Sequence, residues 1–167
     1  NYLRIVYAFI VFLVDQKVLP HVLLERKIRI KLPDVLPRAI PVDDIELLLS
    51  AISTVRDKAM ILILLRTGMR IGELLGVKLT DISPNERKIL IYLGEKNLQG
   101  RAVYYSEDAA QALHQWLEER NSASVHLFPG YMGRPSISYV AAWSVMRKAL
   151  ERGGLEDKGY SLHSLRH

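Results

Sequence analysis

The 167-residue sequence contains no cysteine, so it can form neither a disulfide nor a thiolate metal site, and a reducing compartment fits it. It also lacks a long hydrophobic run. Its most apolar stretch, Ile5–Val14, is flanked by Arg4 and Asp15 and is shorter than the roughly 20 residues that span a bilayer. Gln16 follows where signal-peptide cleavage favours small residues. We therefore expect a cytoplasmic protein with no membrane partner.

The composition is that of a folded protein, with 49% hydrophobic and 25% charged residues. A chain of this length can bury about 70% of the surface that its unfolded form exposes, so we expect one real core. The formal net charge is +5 and the isoelectric point is about 9.5. This basic excess favours a polyanionic partner only if the positive charges converge on one site.

The sequence pattern divides the chain into three parts. Apolar residues recur at helical spacing over residues 2–19, which predicts a buried helix in a domain comprising residues 1–30. Three prolines between residues 31 and 41 favour extended backbone and predict a linker. Residues 42–167 form the main domain. Both ends of the chain fall within helical patterns, so we expect it to be a piece of a larger protein.

For the main domain we predict a mainly α-helical (α+β) fold with a small antiparallel three-stranded β-sheet. The strands are expected within residues 78–82, 88–93 and 101–105, because these runs are rich in β-branched and aromatic residues and are separated by turns. Helices are expected at residues 43–49, 56–66, 70–75, 106–120 and 136–151, with a last helix ending at His167.

Three short segments could carry chemistry. Arg70 follows a glycine helix stop and is either a solvated side chain or a guanidinium aimed at an anion. Lys96 lies between two predicted strands, where it is either solvated or able to enter a DNA groove. His163 and His167 share a helix face, but the glutamate of a His-Glu-x-x-His zinc motif is absent and Arg166 would repel a metal. We therefore predict no metal site.

Taken together, these segments resemble one family. Thr-Gly-Met-Arg-Ile-Gly-Glu-Leu at residues 67–74 resembles the first arginine motif of the tyrosine recombinases, also called the phage integrase family. His-Ser-Leu-Arg-His at residues 163–167 resembles their second motif, His-x-Leu-Arg-His. A β-hairpin with a lysine lies between the motifs, as it does in that family. The resemblance covers about residues 35–167, and residues 1–30 are similar to the end of the family's core-binding, DNA-clamping domain.

The resemblance implies a role for each matching residue. Arg70 and Arg166 match the arginines that bind the scissile phosphate, and guanidinium groups suit this task because they donate paired hydrogen bonds to phosphate oxygens. Lys96 matches the general acid, although Glu95 and Asn97 replace the glycines that often flank it; Arg101 is the alternative, despite being a poor proton donor. His163 matches the histidine that assists proton transfer. The resemblance further implies that Glu73 and His167 support their neighbours.

The nucleophile of the family is a tyrosine downstream of the second motif, and none of the eight tyrosines of this chain follows Arg166. Tyr160 lies upstream and does not match the family position. The resemblance implies a site-specific DNA recombinase or integrase that forms a 3′-phosphotyrosine intermediate without a cofactor. It would act on double-stranded DNA as a dimer or tetramer, in a prokaryotic nucleoid. Two alternatives stay open: a non-catalytic DNA-binding remnant, and a type IB topoisomerase-like enzyme.

Overall fold

The computed structural model describes residues 2–25, 39–92 and 100–166. The chain divides into two compact units, residues 1–36 and residues 37–167. The predicted linker at residues 31–41 lies largely outside the described residues. The division into a clamping domain, a linker and a catalytic domain therefore stays a prediction.

The first unit contains helix α1 (Tyr2–Asp15) and the short helix α2 (Val22–Glu25). The helix predicted over residues 2–19 is confirmed in type but ends earlier, because Lys17 adopts a left-handed conformation with φ of 58°. The expectation of a buried helix is wrong for most of its length: Tyr7, Phe9 and Phe12 are exposed, whereas Val14 is buried. An apolar face becomes buried only where another element packs on it, and α2 has only 4 residues.

The helices of the second unit surround a central one. They are α3 (Val42–Ser50), α4 (Val55–Thr67), α5 (Ile71–Gly76), α6 (Glu107–Glu119) and α7 (Tyr139–Arg152). Thr54 caps the start of α4, and its side-chain oxygen accepts a hydrogen bond from the Asp57 amide. Six consecutive residues of α4, Ala59 to Leu64, are buried. A helix that is apolar on every side must be enclosed, and α4 accordingly forms the centre of the core.

A small antiparallel sheet adjoins the helices, with the strand order β1–β2–β3. The strands are β1 (Ile82–Ser83), β2 (Lys88–Ile91) and β3 (Arg101–Tyr104). Ile89 pairs with Val103 and Ile91 pairs with Arg101, so these four side chains lie on one face. That face packs on the core, because Ile89 and Ile91 are buried. The predicted mainly helical fold with a three-stranded antiparallel sheet is confirmed.

Two predicted elements differ from the structure. Within the strand predicted at residues 78–82, residues Leu79–Asp81 form a 3₁₀ turn, because the Asp81 carboxylate accepts a hydrogen bond from the Lys78 amide at 2.8 Å. The predicted last helix is a single 3₁₀ turn, Ser164–Arg166, within the described residues. It is held by a hydrogen bond from the Ser161 amide to the Ser164 hydroxyl. None of the described helices is long and apolar enough to cross a membrane.

Candidate active site

Arg70 lies at the junction of α4 and α5. Gly68 ends α4 in the left-handed conformation, with φ of 61°, and Arg70 is the residue immediately before α5. The buried side chain of Met69 anchors the backbone between them. The Arg70 side chain remains 58% exposed. The local fold therefore fixes the backbone of Arg70 and leaves its guanidinium open to a ligand.

Glu73 orients Arg70 from the first turn of α5. Its carboxylate oxygen Oε2 accepts a hydrogen bond from the Arg70 amide at 2.7 Å, and Oε1 accepts one from Arg70 Nη1 at 3.2 Å. The same Oε2 accepts a hydrogen bond from Arg101 Nη2 at 2.8 Å. Only 11% of the Glu73 side chain is exposed. One nearly buried carboxylate therefore neutralises part of the charge of two arginines and fixes the start of α5.

The second motif lies on a tight turn beside the end of α4. Leu162 and Leu165 are buried in the core and hold the turn in place. The Arg166 amide donates a hydrogen bond to the His163 carbonyl at 3.1 Å, which closes the turn. A methyl group added at Gly68 would lie 3.9 Å from Cγ of Arg166. The two arginine motifs, almost a hundred positions apart in sequence, therefore meet at this glycine.

Both motifs line one cavity of about 510 Å³. Among the described residues, three basic side chains line it, Arg70, His163 and Arg166, and the one acid, Glu73, already has arginine partners. The described lining residues are Met69, Arg70, Ile71, Gly72, Glu73, Tyr139, Leu162, His163 and Arg166. Such a cavity can hold an anion with several hydrogen-bond acceptors, and a phosphate group meets that description.

The structure brings together four of the predicted site residues: Arg70, Glu73, His163 and Arg166 all line the cavity. Lys96 and His167 lie outside the described residues, so their predicted roles stay predictions. Among the residues that the structure does describe, no group of three or more histidine, aspartate or glutamate side chains could hold a metal ion.

Sequence reasoning missed two contributors. Tyr139 lines the cavity from the start of α7, and no local pattern marked it out from the other tyrosines. Arg101 was considered only as an alternative proton donor, whereas it bonds to Glu73. Its alternation with Val103 along β3 could have placed it on the core-facing side of the sheet.

Tyr160 donates its hydroxyl hydrogen to the Asp44 carboxylate at 2.5 Å and is not among the residues lining the cavity.

The chain is similar to known proteins in its sequence and in its fold. The sequence model of the Phage integrase family matches residues 38–167. Tyrosine recombinase XerD of Corynebacterium glutamicum is 33% identical over 145 residues, which cover 79% of this chain and 46% of the relative. The crystal structure of XerA recombinase superposes with a TM-score of 0.72 and 27% identity, covering 83% of this chain and 50% of the other.

A further solved structure, XerH site-specific recombinase bound to palindromic difH substrate, has a TM-score of 0.64 and 24% identity. It covers 79% of this chain and 40% of the other, and at that identity it bears on the fold alone. The chain spans about half the length of the curated relatives it matches.

Proposed function

Because the chain belongs to the phage integrase family, we propose that its protein is a site-specific DNA recombinase that cleaves and rejoins strands through a 3′-phosphotyrosine intermediate. The observation that carries the proposal is the cavity in which Arg70, His163 and Arg166 converge. Such chemistry needs no metal or high-energy cofactor, since a covalent phosphotyrosine link conserves the energy of the phosphodiester bond.

In the proposed reaction, Arg70 and Arg166 bind the nonbridging oxygens of the scissile phosphate. Their guanidinium groups then stabilise the negative charge that grows in the five-coordinate transition state, and losing one such donor typically costs about 3–4 kcal/mol of activation free energy. His163 assists proton transfer, and Lys96 protonates the leaving 5′ oxygen. Glu73 supports Arg70, and His167 supports the second motif.

The remaining parts of the proposal concern the whole protein. Residues 1–30 would belong to a core-binding domain that clamps double-stranded DNA, and residues 31–41 would link it to the catalytic domain. The protein would assemble on DNA as a dimer or tetramer, in the cytoplasm and associated with the nucleoid. DNA as partner is supported by the basic cavity and by the resemblance to XerD.

DNA binding tests the proposal directly. The chain should bind a short duplex with an affinity whose logarithm falls with the logarithm of salt concentration, by about 0.9 per phosphate neutralised. Arg70→Ala and Arg166→Ala should each weaken binding and reduce that slope by about 0.9. Arg147→Ala provides a matched control, because Arg147 is an exposed arginine of α7 outside the cavity. Fluorescence anisotropy across a salt series measures both quantities, and binding unaffected by the two cavity variants would refute the site.

A second experiment concerns the nucleophile. Because no tyrosine follows Arg166, the 167-residue chain should form no covalent adduct on a nicked suicide duplex. The reaction is read on a denaturing gel. A denaturation-resistant adduct would mean that a tyrosine of this chain attacks the phosphate, and Tyr139→Phe would then identify or exclude the one tyrosine that lines the cavity.

A further inference from the structure

Arg101 occupies an unusual place for a charged residue. It pairs with Ile91 across the sheet, and paired residues project on the same face, so its side chain starts on the face that Ile89 and Ile91 bury against the core. The side chain is still 37% exposed, so its guanidinium reaches past the buried isoleucines, and there Arg101 Nη2 lies 2.8 Å from the Glu73 carboxylate. Among the described strand residues, only Arg101 contacts Glu73, and this contact connects the sheet to α5.

The Glu73 carboxylate is divided unequally between its two arginines. Oε2 receives the two short hydrogen bonds, 2.8 Å from Arg101 Nη2 and 2.7 Å from the Arg70 amide. The Arg70 side chain has only the longer contact of 3.2 Å to Oε1. Arg101 therefore holds the carboxylate more tightly than the Arg70 guanidinium does.

This division affects how Arg70 meets an anion. A phosphate entering the cavity must compete with Glu73 for the hydrogen-bond donors of Arg70. With Arg101 in place, the negative charge of the Glu73 carboxylate is shared between two arginines. The attraction between Glu73 and the Arg70 guanidinium is therefore weaker. Without Arg101, Arg70 would be the remaining cationic partner of this nearly buried carboxylate among the described residues, and the carboxylate would hold that guanidinium away from the ligand.

We propose that Arg101 is a positioning residue of the phosphate site, which binds Glu73 and so keeps the Arg70 guanidinium available for phosphate. The proposal rests on the proposed function, in which Arg70 binds the scissile phosphate. Arg101 acts through Glu73 and is not among the residues that line the cavity. This role differs from proton donation, for which a guanidinium is poorly suited.

A double-mutant cycle tests the mechanism, with inorganic phosphate as the probe at low ionic strength. Arg101→Met keeps an unbranched apolar stem but removes the guanidinium and its charge, and Glu73→Gln keeps the shape of its partner. Arg101→Met should weaken phosphate binding about fivefold in the native background, the upper range for a partly exposed ion pair. In the Glu73→Gln background the same change should have less than a twofold effect, because the competing carboxylate is gone. Binding is followed through the Nε–H signal of Arg166, which lines the same cavity and is kept in every variant, in nuclear magnetic resonance spectra.

The outcomes separate the possible causes. An equal loss of affinity in both backgrounds would show that Arg101 contributes only long-range positive charge, and no loss in either would show that it has no role; both overturn the inference. Arg70→Ala in the same titration tests the proposed function: if it leaves phosphate binding unchanged, the site itself is wrong, whatever Arg101 does. Thermal unfolding checks each variant. If Arg101→Met does not fold, Arg101→Lys takes its place, with a smaller loss that should again disappear when Glu73 is replaced.

Discussion

The two sides of the cavity are held in place by different forces. The arginine-helix side, residues 66–74, depends on ion pairs: Arg66 with Asp108 at 2.6 Å, and Glu73 with both Arg70 and Arg101. The turn side, residues 160–166, depends on the buried side chains of Leu162 and Leu165, on hydrogen bonds within the turn, and on one from Tyr160 to Asp44. Salt therefore acts mainly on the first side, whereas changes of side-chain volume act mainly on the second.

This difference suits a site for a polyanion. In the proposed reaction, Arg70 exchanges the Glu73 carboxylate for a phosphate, and an ion pair at a partly exposed position is weak enough to allow that exchange. His163 and Arg166 would bind the same phosphate from a short turn, and buried leucines keep the backbone of that turn in place. Four predictions test the comparison, beginning with the largest expected effect.

Leu165→Ala should destabilise the protein most. Leu165 is 2% exposed and belongs to the core, so its truncation leaves a cavity beneath the turn that carries His163 and Arg166. The expected loss in the free energy of unfolding is about 2–4 kcal/mol. Urea denaturation measures it. Leu79→Ala provides the control, because Leu79 is exposed and should lose less than about 1 kcal/mol. Equal losses in the two variants would mean that the turn is not anchored through the core.

Tyr160→Phe should have the next largest effect. The change removes the hydroxyl that donates a hydrogen bond to the buried Asp44 carboxylate. The ion pair between Asp44 and the Lys158 ammonium, at 3.7 Å, is kept. Loss of a hydrogen bond to a charged group predicts a destabilisation of about 1.5 kcal/mol, again from urea denaturation. Tyr131→Phe should change stability by less than about 0.5 kcal/mol, because Tyr131 is almost fully exposed. If both variants match the native protein, the turn side is held by apolar contacts alone.

Gly68 belongs to both sides, since it ends α4 and lies against Arg166. Gly68→Ala should destabilise the protein by about 1 kcal/mol, because its φ of 61° disfavours a residue with a Cβ although the added methyl group would meet only ordinary contacts. Gly72→Ala is the matched comparison inside α5, with nothing within 4 Å of the new methyl group. It should stabilise the helix by up to about 1 kcal/mol. In differential scanning calorimetry, the two variants should shift the melting temperature in opposite directions. Shifts in the same direction would contradict the left-handed conformation assigned to Gly68.

The sequence predicted the fold class from its periodicity. The strings around Arg70 and Arg166 also singled out four of the residues that line the cavity, but they did not point to Tyr139. The sequence did not predict which elements are irregular. The run at residues 78–82 is rich in β-favouring residues, but the hydrogen bond from the Lys78 amide to Asp81 bends it into a turn. A pattern of residue types does not show whether such a side-chain hydrogen bond or a strand will form. The sequence also did not predict the hydrogen bond between Arg101 and Glu73, because that bond depends on the register of β3 against β2.

The smallest expected effect concerns the ion pair that holds the end of α4. Burial alone would raise the pKa of Asp108, but hydrogen bonds from Arg66, Ser106 and the Ala109 amide lower that pKa below its ordinary value. A carboxyl whose pKa is lower in the folded state stabilises the fold fully above its unfolded pKa of about 4, and this contribution is lost as the pH falls through the folded pKa.

Asp108→Asn should therefore lower stability at neutral pH and leave it nearly unchanged in acid. Because the Asp108 side chain is 43% exposed, solvent screening limits the difference to roughly 0.5 kcal/mol. Urea denaturation across a pH series, from neutral pH down to the lowest pH at which the protein stays folded, measures how the difference shrinks. Glu118→Gln offers a comparison on the same helix, since Glu118 is exposed and its partner is His114 rather than an arginine. If Asp108→Asn were as destabilising in acid as at neutral pH, the loss would come from packing, and the arginine-helix side would depend less on charge than its geometry indicates.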